Sequence, residues 1–263
     1  MSTADEARLP GEDVPRWEVP AWRERFGLSA GVTGRGSDPS APFDLGLSGQ
    51  QPVGEAMARW RRFHAAFADF SGSVLARQVH GTELLWHQGP PRGWHIFEGA
   101  DGHLTATPGL LLLVTVADCV PVYLAAPEYR AVALLHAGWR GTAGGILARG
   151  VAELTSRTGC DASDIVMHCG VAISGPCYEV GSEVVSALGQ ALGGPGPWQV
   201  DLRAALCRQA ADLGIGEVTV SDHCTAREAD HFFSHRRSHG ADGRMIAWLG
   251  YPVGVGRTPL ALP

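Results

Sequence analysis

The stretch from Leu110 to Ala126 is almost entirely apolar, and it constrains the fold more than any other part of this 263-residue chain. It carries Asp118 in its middle and Pro121 shortly afterwards. A membrane-spanning helix accommodates an ionised group or a helix breaker at its centre only at a cost. Two buried strands joined at Asp118 and Cys119 fit the pattern better. The run therefore predicts a globular core and argues against a membrane protein.

Other periodic segments predict a mixture of strands and helices. An aromatic stripe of Met57, Trp60, Phe63, Phe67 and Phe70 has helical spacing and is typical of a helix that packs on a core. Strands are predicted at 26–33, 73–79, 110–116, 120–125, 131–135, 165–169, 217–220 and 245–249, and helices at 55–70, from about 141 to 157, 181–192 and 201–212. No fixed-period repeat or clear linker divides the chain, so the pattern predicts a single mixed α/β domain.

The N-terminal residues 1–25 are acidic at first and rich in Pro, with no apolar core of the kind that signal peptides carry. We interpret this segment as a flexible leader, followed by a catalytic domain over residues 26–263. The six Cys residues are dispersed and form no CxxC pair, which favours reduced thiols and a cytoplasmic location.

Composition excludes some partners. Hydrophobic residues make up 45% of the chain, charged residues 18%, and the formal net charge is −6, with no block rich in Lys or Arg. Binding to duplex nucleic acid needs many phosphate contacts, so nucleic acid is not expected as a partner. A small anionic substrate remains compatible, because a few local arginines can bind it.

Three strand-like runs end in residue types that bind metals, namely His80, Cys119 and His136. They are 39 and 17 positions apart, a spacing that is weak evidence by itself. Side chains that follow strands can converge at a sheet edge, and two imidazoles with one thiolate can hold zinc and leave a fourth position open. The competing interpretation is a Cys119–His136 nucleophile and base pair. Hydrogen-bonded structural histidines and a buried inert Cys are the simplest alternative.

A second set of residues could bind an anion or a ring. Arg140 stands at the expected start of a helix, where backbone N–H groups and the helix dipole favour an anion. Arg236 and Phe233 belong to a dense segment of aromatic and basic residues, and Arg35 is a weaker candidate of the same kind. Tyr178 could stack on a ligand. Surface arginines and a buried Phe pair would explain the same residues without a ligand.

Taken together, several segments resemble the laccase-domain family, also called polyphenol oxidase-like or peptidoglycan-editing-factor proteins. They occur in the family's order and span about residues 26–250. The matching segments are Gln78–Gly81, Asp101–Thr105, Ala117–Val122, His136–Gly141, Pro176–Gly181, Cys224–Thr225, Phe232–Arg237 and Gly243–Met245.

The resemblance implies mixed β-sheets sandwiched between helical layers, and an active site formed by His80, Cys119 and His136 that can bind zinc. Several members of the family act as purine nucleoside phosphorylases with adenosine deaminase activity, so the expected substrates are purine nucleosides of the adenosine, inosine and methylthioadenosine class. Inorganic phosphate would be the co-substrate and the protein a monomer or homodimer. Copper is expected only as an opportunistic occupant. The chain has 11 His and no His-x-His unit, which argues against a multicopper oxidase.

On this reading, zinc would activate a water for attack on C6 of adenine, with Asp118 as the nearest proton carrier. Arg140, Arg236 and Arg35 would hold phosphate beside the ribose. Two alternatives stay open: an amide hydrolase that edits peptidoglycan precursors with the Cys–His pair, and a non-enzymatic metal-binding or partner-binding protein. The chain departs from the family at Gly170–Ser174, at Thr33–Gly36 and at His235, which stands where the family has Tyr. These departures leave substrate preference open.

Overall fold

The computed structural model describes residues 2–3, 6–10, 13–47, 51–89 and 92–254. The strands are β1 (Ser2–Thr3), β2 (Ala7–Arg8), β3 (Arg16–Glu18), β4 (Ser29–Thr33), β5 (Gly72–Arg77), β6 (Leu84–His87), β7 (Gly93–Glu98), β8 (Gly102–Thr105), β9 (Leu110–Val116), β10 (Val120–Ala126), β11 (Ala131–Ala137), β12 (Val166–Cys169), β13 (Glu179–Val180), β14 (Trp198–Gln199), β15 (Glu217–Val220) and β16 (Met245–Gly250). The α-helices are α1 (Pro20–Phe26), α2 (Val53–Ala65), α3 (Trp139–Ala143), α4 (Ile146–Thr158), α5 (Ser182–Ala187) and α6 (Leu202–Leu213).

In the described part of the chain, most strands belong to two sheets of seven strands each. The first sheet has the order β1-β15-β12-β10-β11-β8-β6, and the second has the order β2-β3-β4-β16-β9-β5-β7. Both sheets mix parallel and antiparallel pairs; β5 runs parallel to β9, for example, whereas β16 runs antiparallel to it. Strands β13 and β14 form a separate antiparallel pair.

The two sheets pack against each other, and helices cover their outer faces. In β10, Val122 and Leu124 face the layer of α4, α5 and α6, whereas Tyr123 and Ala125 face the second sheet. Strand β9 likewise presents Leu112 to the first sheet and its neighbours to α2. Both strands are buried on both faces, which explains the continuous apolar run. Sheets sandwiched between helical layers, as the resemblance implied, are confirmed.

Helix α2 carries the aromatic stripe, and its core packing is confirmed. Trp60 and Phe63 are almost fully buried beneath the second sheet. The helix ends at Ala65 rather than at the predicted Phe70, and the chain continues through a turn in which Phe67 still packs into the same cluster. The apolar spacing continues beyond the helix because the turn keeps the same side chains against the sheet.

The N-terminal segment differs from the flexible leader that the sequence suggested. Its described residues include β2, β3 and α1, and β3 pairs with β4 at the second sheet. Trp17, Val19 and Trp22 are at most 3% exposed and belong to the core between the sheets. Composition suggested a leader, but a few large apolar side chains suffice to fix the segment. Residues 1, 4–5 and 11–12 of the leader and residues 48–50, 90–91 and 255–263 of the predicted domain lie outside the described residues.

The helix predicted from about 141 to 157 is two helices, α3 and α4. Gly145 separates them with φ +83°, a left-handed conformation that suits glycine. Strands β6, β7 and β8 were not predicted, because their short segments carry polar residues and no clear alternation. Among the described residues, no helix is both long and apolar enough to cross a membrane.

Candidate active site

The three residues proposed as metal ligands meet at one end of the sandwich. His80 follows β5 of the second sheet. Cys119 lies where the chain crosses from β9 of the second sheet to β10 of the first, and His136 is near the end of β11 in the first sheet. Their ligand atoms all lie within 4.8 Å of one another. His136 is buried, Cys119 is partly exposed and His80 is exposed. The structure therefore brings together the His/Cys/His cluster that strand position predicted.

Asp101 organises this cluster and was not among the predicted site residues. Its carboxylate accepts backbone N–H groups of Val79, His80 and Gly81, with N···O distances of 3.2, 3.0 and 2.7 Å. The same carboxylate lies 2.9 Å from Nδ1 of His136. Asp101 is fully buried. It thus fixes both the loop that carries one ligand and the ring of another.

The loop at His80 is held in an unusual backbone conformation. His80 has φ +58°, in the left-handed region that non-glycine residues seldom adopt. The three N–H groups that donate to Asp101 offset the strain. Upstream, the Gln78 side chain binds both the N–H and the C=O of Thr115 at 2.6 and 2.9 Å, which ties the end of β5 to β9. The Gln78–Gly81 segment is therefore fixed at both ends.

The charges of Cys119 and His136 depend on each other. Burial by itself raises the pKa of the Cys119 thiol, but the adjacent His136 and His80 lower it to about 6. Burial by itself lowers the pKa of His136, but Cys119 and Asp101 raise it to about 9. Without a metal, the site therefore holds a thiolate next to an imidazolium at neutral pH.

A glycine makes the close approach possible. Gly138 lies opposite Cys119 across the β10–β11 pair, and a Cβ added there would come within 3.0 Å of the Cys119 Sγ and 3.3 Å of a carbon of the His80 ring. Any side chain at this position would push ligand groups apart. This explains the glycine in the His136–Gly141 segment.

The donor set fits a zinc ion. Two imidazoles and a thiolate with a lowered pKa are ligands that zinc accepts, and three protein ligands leave one position open. Because Asp101 occupies Nδ1 of His136, that ring offers Nε2 as its ligand atom. A carboxylate behind a ligating His is a common arrangement in zinc sites.

Asp118 is bound on both of its carboxylate oxygens. Oδ1 accepts the hydroxyl of Thr225 and Oδ2 accepts the backbone N–H of Arg236, each at 2.6 Å. Its φ of +93° is another left-handed conformation next to the cluster. Asp118 therefore fixes the loop that carries Arg236 beside Cys119.

A cavity of about 540 Å³ is linked to the cluster through two of its lining residues: Trp139, three positions after His136, and Arg236, whose N–H binds the neighbour of Cys119. Its walls include Trp139, Tyr178 and Trp198, together with Pro197 and Arg236. The Arg236 guanidinium lies 4.9 Å from the centre of the Tyr178 ring. Burial raises the pKa of Tyr178 to about 12, and the Cys119 charge acts in the same direction, which places the phenol within electrostatic reach of the cluster. The volume suits a ligand of nucleoside size.

The other predicted binding residues lie in different places. Arg140 is exposed on α3, with its guanidinium 4.3 Å from the Trp139 ring centre, and its charge reaches Tyr178. Phe233 is only 1% exposed and packs between the sheets. Arg35 lies across the Phe233 ring and lines a different cavity from Arg236. The structure thus brings Arg140, Tyr178 and Arg236 towards the cluster, but not Arg35 or Phe233.

The chain matches known proteins over most of its length. The sequence model of the family described as multi-copper polyphenol oxidoreductase laccase matches residues 27–251. The chain belongs to this laccase-domain family. The match includes every residue of the His/Cys/His cluster.

Relatives in the laccase-domain family carry the name purine nucleoside phosphorylase. One is the purine nucleoside phosphorylase YlmD of Geobacillus stearothermophilus, 35% identical over 247 residues, which cover 85% of this chain and 90% of that protein. Another is a purine nucleoside phosphorylase of Deinococcus radiodurans, 35% identical over 260 residues, which cover 95% of this chain and 96% of the relative.

Solved structures of the laccase-domain family share the fold. YlmD from Geobacillus stearothermophilus aligns with a TM-score of 0.82 at 32% identity, over 93% of this chain and 98% of that one. The Bacillus licheniformis hypothetical protein YfiH aligns with a TM-score of 0.80 at 28% identity, over 89% and 96% of the two chains.

Within the described residues, His80, Cys119 and His136 form the one His/Cys/Asp/Glu group with metal-binding geometry, whereas a multicopper oxidase requires several copper centres.

Proposed function

We propose that the protein cleaves purine nucleosides with inorganic phosphate, and that the reaction takes place where the aromatic cavity meets the His80, Cys119 and His136 cluster. The observation that carries this proposal is a ligand-sized cavity walled by aromatic rings and Arg236, which is joined to the His/Cys/His group through Trp139 and through the Arg236–Asp118 hydrogen bond. The family relatives named purine nucleoside phosphorylase support it.

The aromatic walls suit the base. Trp139 and Tyr178 present ring surfaces to the cavity, and planar purines bind by stacking on such rings. Each ring already lies against a guanidinium, that of Arg140 or Arg236. In our proposal these two arginines hold phosphate at the edge of the cavity, where bidentate hydrogen bonds can orient it towards C1′ of the ribose.

Asp101 acts as a positioning residue, and so does Asp118 in place of the proton carrier expected from the sequence, because both of its oxygens already accept hydrogen bonds. Asp118 fixes the Arg236 backbone through a 2.6 Å hydrogen bond, so that the phosphate-binding arginine stays beside Cys119. Asp101 holds His136 in one tautomer and orientation. When zinc is bound by His80, Cys119 and His136, it supplies Lewis-acid chemistry and lowers the pKa of a water. We also propose that the same site deaminates adenosine. The proposed substrates of the protein are adenosine, inosine and methylthioadenosine.

A second candidate function rests on the same three groups without a metal. The Cys119 thiol contacts the His136 imidazole, which in turn contacts the Asp101 carboxylate. Nucleophilic cysteine enzymes use the same spatial order of groups. Such a site could hydrolyse an amide in a cell-wall precursor. The two candidates differ in their response to reagents. A chelator would abolish the first activity, whereas thiol alkylation without metal dependence would indicate the second.

The test is turnover of adenosine and inosine by metal-analysed protein, with and without phosphate, resolved by chromatography. Wild type is compared with Cys119→Ala, and with Cys160→Ala as the matched control, since Cys160 is buried outside the cluster. We expect phosphate-dependent release of free base that Cys119→Ala loses and Cys160→Ala retains. Inosine formed from adenosine would add deamination. An absence of turnover with both nucleosides would overturn the proposal in favour of the amide hydrolase.

The role of the arginine at the helix start is tested separately. Removing the Arg140 guanidinium should raise the KM for phosphate by about 10-fold or more, because a charged hydrogen bond to phosphate is lost. Exposed Arg157, which pairs with Glu153 on α4, provides the matched control as Arg157→Ala. Full activity of Arg140→Ala with an unchanged phosphate KM would remove Arg140 from the site.

A further inference from the structure

A second cavity of about 440 Å³ lies apart from the candidate active site. Arg8, Trp17, Arg35, Asp230 and His231 contribute to its walls, and it shares no lining residue with the cavity beside the His/Cys/His cluster. It forms where the N-terminal β2–β3 segment meets the loop after β4 and the loop that precedes Phe232. We refer to it as the Arg8–Arg35 cavity.

Both arginines of this cavity are held in place by aromatic rings. The Arg8 guanidinium lies 5.5 Å from the centre of the Trp17 ring, and that of Arg35 lies 5.1 Å from the Phe233 ring. One nitrogen of Arg35 also donates to the carbonyl of Ala229 at 3.1 Å. Contact with a ring restricts each guanidinium before an anion binds, so less freedom is lost on binding.

The charge of the cavity favours an anion, although the whole chain has a formal net charge of −6. Within the described residues, no carboxylate lies at ion-pair distance from Arg8 or Arg35. Asp230 is the one acidic residue in the wall, so two guanidinium groups face one carboxylate. A dianionic group matches two guanidinium groups, and a nearby carboxylate can accept a hydrogen bond from a hydroxyl or amino group of the same ligand.

We propose that the Arg8–Arg35 cavity binds a phosphate group, carried as a monoester on a ring-bearing small molecule. The cavity has far more room than a free phosphate ion fills, and the half-buried ring of His231 lies 5.4 Å from Trp17 at its wall. The ligand's ring packs on His231, its phosphate binds Arg8 and Arg35, and its hydroxyl or amino group donates to Asp230. This site is separate from the phosphate of the proposed phosphorolysis.

Part of this site lies outside the residues that match the family. Arg8 and Trp17 precede residue 27, where the match to the family begins, whereas Arg35 and His231 lie inside it. The His231 loop continues through Phe232 and Phe233 to Arg236, whose N–H binds Asp118 beside the cluster. A ligand in the Arg8–Arg35 cavity therefore contacts the same loop that the candidate active site uses.

The experiment measures binding of adenosine 5′-monophosphate, inorganic phosphate and adenosine to the whole chain by isothermal titration calorimetry. The variants are Arg8→Ala, Arg35→Ala and Arg236→Ala, with Arg157→Ala as control, because Arg157 likewise lies across a tryptophan, at 5.1 Å from the Trp86 ring. We expect Arg8→Ala and Arg35→Ala to weaken monophosphate binding at least about 10-fold, as loss of a charged hydrogen bond predicts. Arg157→Ala should bind like wild type, and Arg236→Ala should retain this binding.

Each outcome of the titrations either supports or contradicts the proposed phosphate site. Binding of inorganic phosphate with the same dependence on Arg8 also supports a phosphate site and identifies the free ion as sufficient. Adenosine binding that Arg8→Ala weakens as much as monophosphate binding, or monophosphate binding that Arg236→Ala abolishes and Arg8→Ala leaves intact, would overturn the proposal. So would a wild type that binds neither phosphate compound. Melting temperatures of the variants exclude unfolding as the cause of lost binding. None of these readings depends on nucleoside turnover.

Discussion

At the scale of single residues, the geometry of the His/Cys/His cluster depends on Asp101. Its carboxylate accepts hydrogen bonds from three backbone N–H groups and also faces the His136 ring. An uncharged side chain could not form all of these charged hydrogen bonds. Asp101→Asn keeps the shape, but it removes the charge and directs an NH2 group at N–H donors or at His136. The His80 loop and the His136 ring should then lose their fixed positions together.

We therefore expect Asp101→Asn to weaken zinc binding by about 10- to 100-fold, the usual cost of losing the partner behind a metal-binding His. Competition with a chromogenic chelator measures this affinity. Asp201→Asn is the matched control, because Asp201 also accepts a backbone N–H, at the start of α6, but lies outside the cluster. Equal zinc affinity in Asp101→Asn and wild type would show that the carboxylate does not support the ligands.

The sequence predicted the ligands but not their support. His80, Cys119 and His136 could be found because each follows an apolar strand, a pattern visible in the chain itself. The partners of Asp101 are backbone N–H groups about twenty positions upstream, and no local pattern reveals them. The burial of Phe233 and the separation of Arg35 from Arg236 were equally invisible, because both depend on how loops from different sheets pack.

At the scale of elements, two histidines link the neighbouring strands β6 and β8. Nε2 of His87 lies 2.9 Å from Nδ1 of His103, and His103 is fully buried. Burial lowers the pKa of His87 to about 4, helped by the charge of His95, and lowers that of His103 to about 3, helped by His87. Both rings are therefore neutral in the folded protein well below the pH at which a free His is protonated.

This pair should make stability depend on pH. Below pH 6.5 the unfolded chain binds protons at both rings and the folded protein does not, so stability is complete above pH 6.5 and falls as the pH approaches 4. Each pKa unit corresponds to about 1.4 kcal/mol, and allowing for the partial exposure of His87 we expect a loss on the order of 3 kcal/mol.

Urea unfolding at pH 7, 5.5 and 4.5 measures the effect. The double variant His87→Gln/His103→Gln should show a flatter dependence than wild type, because neither amide titrates. Exposed His235→Gln serves as the control and should follow the wild type. A double variant with the wild-type slope would assign the pH dependence to other groups.

Element boundaries show where sequence periodicity succeeds. Strands β9 and β15 were predicted with their observed ends, and β10 within one residue, since buried strands give unbroken or alternating apolar runs. The edge strands β6 and β7 were missed. Among the described strands, β7 pairs with β5 alone, and most of its side chains are exposed, so its composition resembles that of a loop. Periodicity detects a strand only when at least one face is buried.

At the scale of the whole molecule, the resemblance and the apolar pattern together predicted the layered architecture, but composition underestimated the N-terminal segment. Val14 and Trp17 are buried on opposite sides of the second sheet, Val14 with α2 and Trp17 between the sheets. The Glu6 carboxylate is buried beside the backbone N–H of Val171 and the hydroxyl of Ser221, next to β12 and β15 of the first sheet. The segment therefore contacts both sheets.

Deletion of residues 1–19 should consequently destabilise the whole protein, since it removes β1, β2, β3 and the buried Trp17 and exposes the edge of β4. Trp17→Ala alone should lower the free energy of unfolding by about 3–5 kcal/mol, the usual cost of truncating a buried Trp. Trp86→Ala is the matched control, and its cost should be smaller because Trp86 is only half-buried under Arg157. The urea midpoints of the truncated chain, Trp17→Ala and Trp86→Ala, compared with that of the full chain, measure the loss of stability in each. A truncated chain that unfolds at the same urea concentration as the full chain would mean that the segment is a leader after all, and that its tryptophan contributes nothing to the core between the sheets.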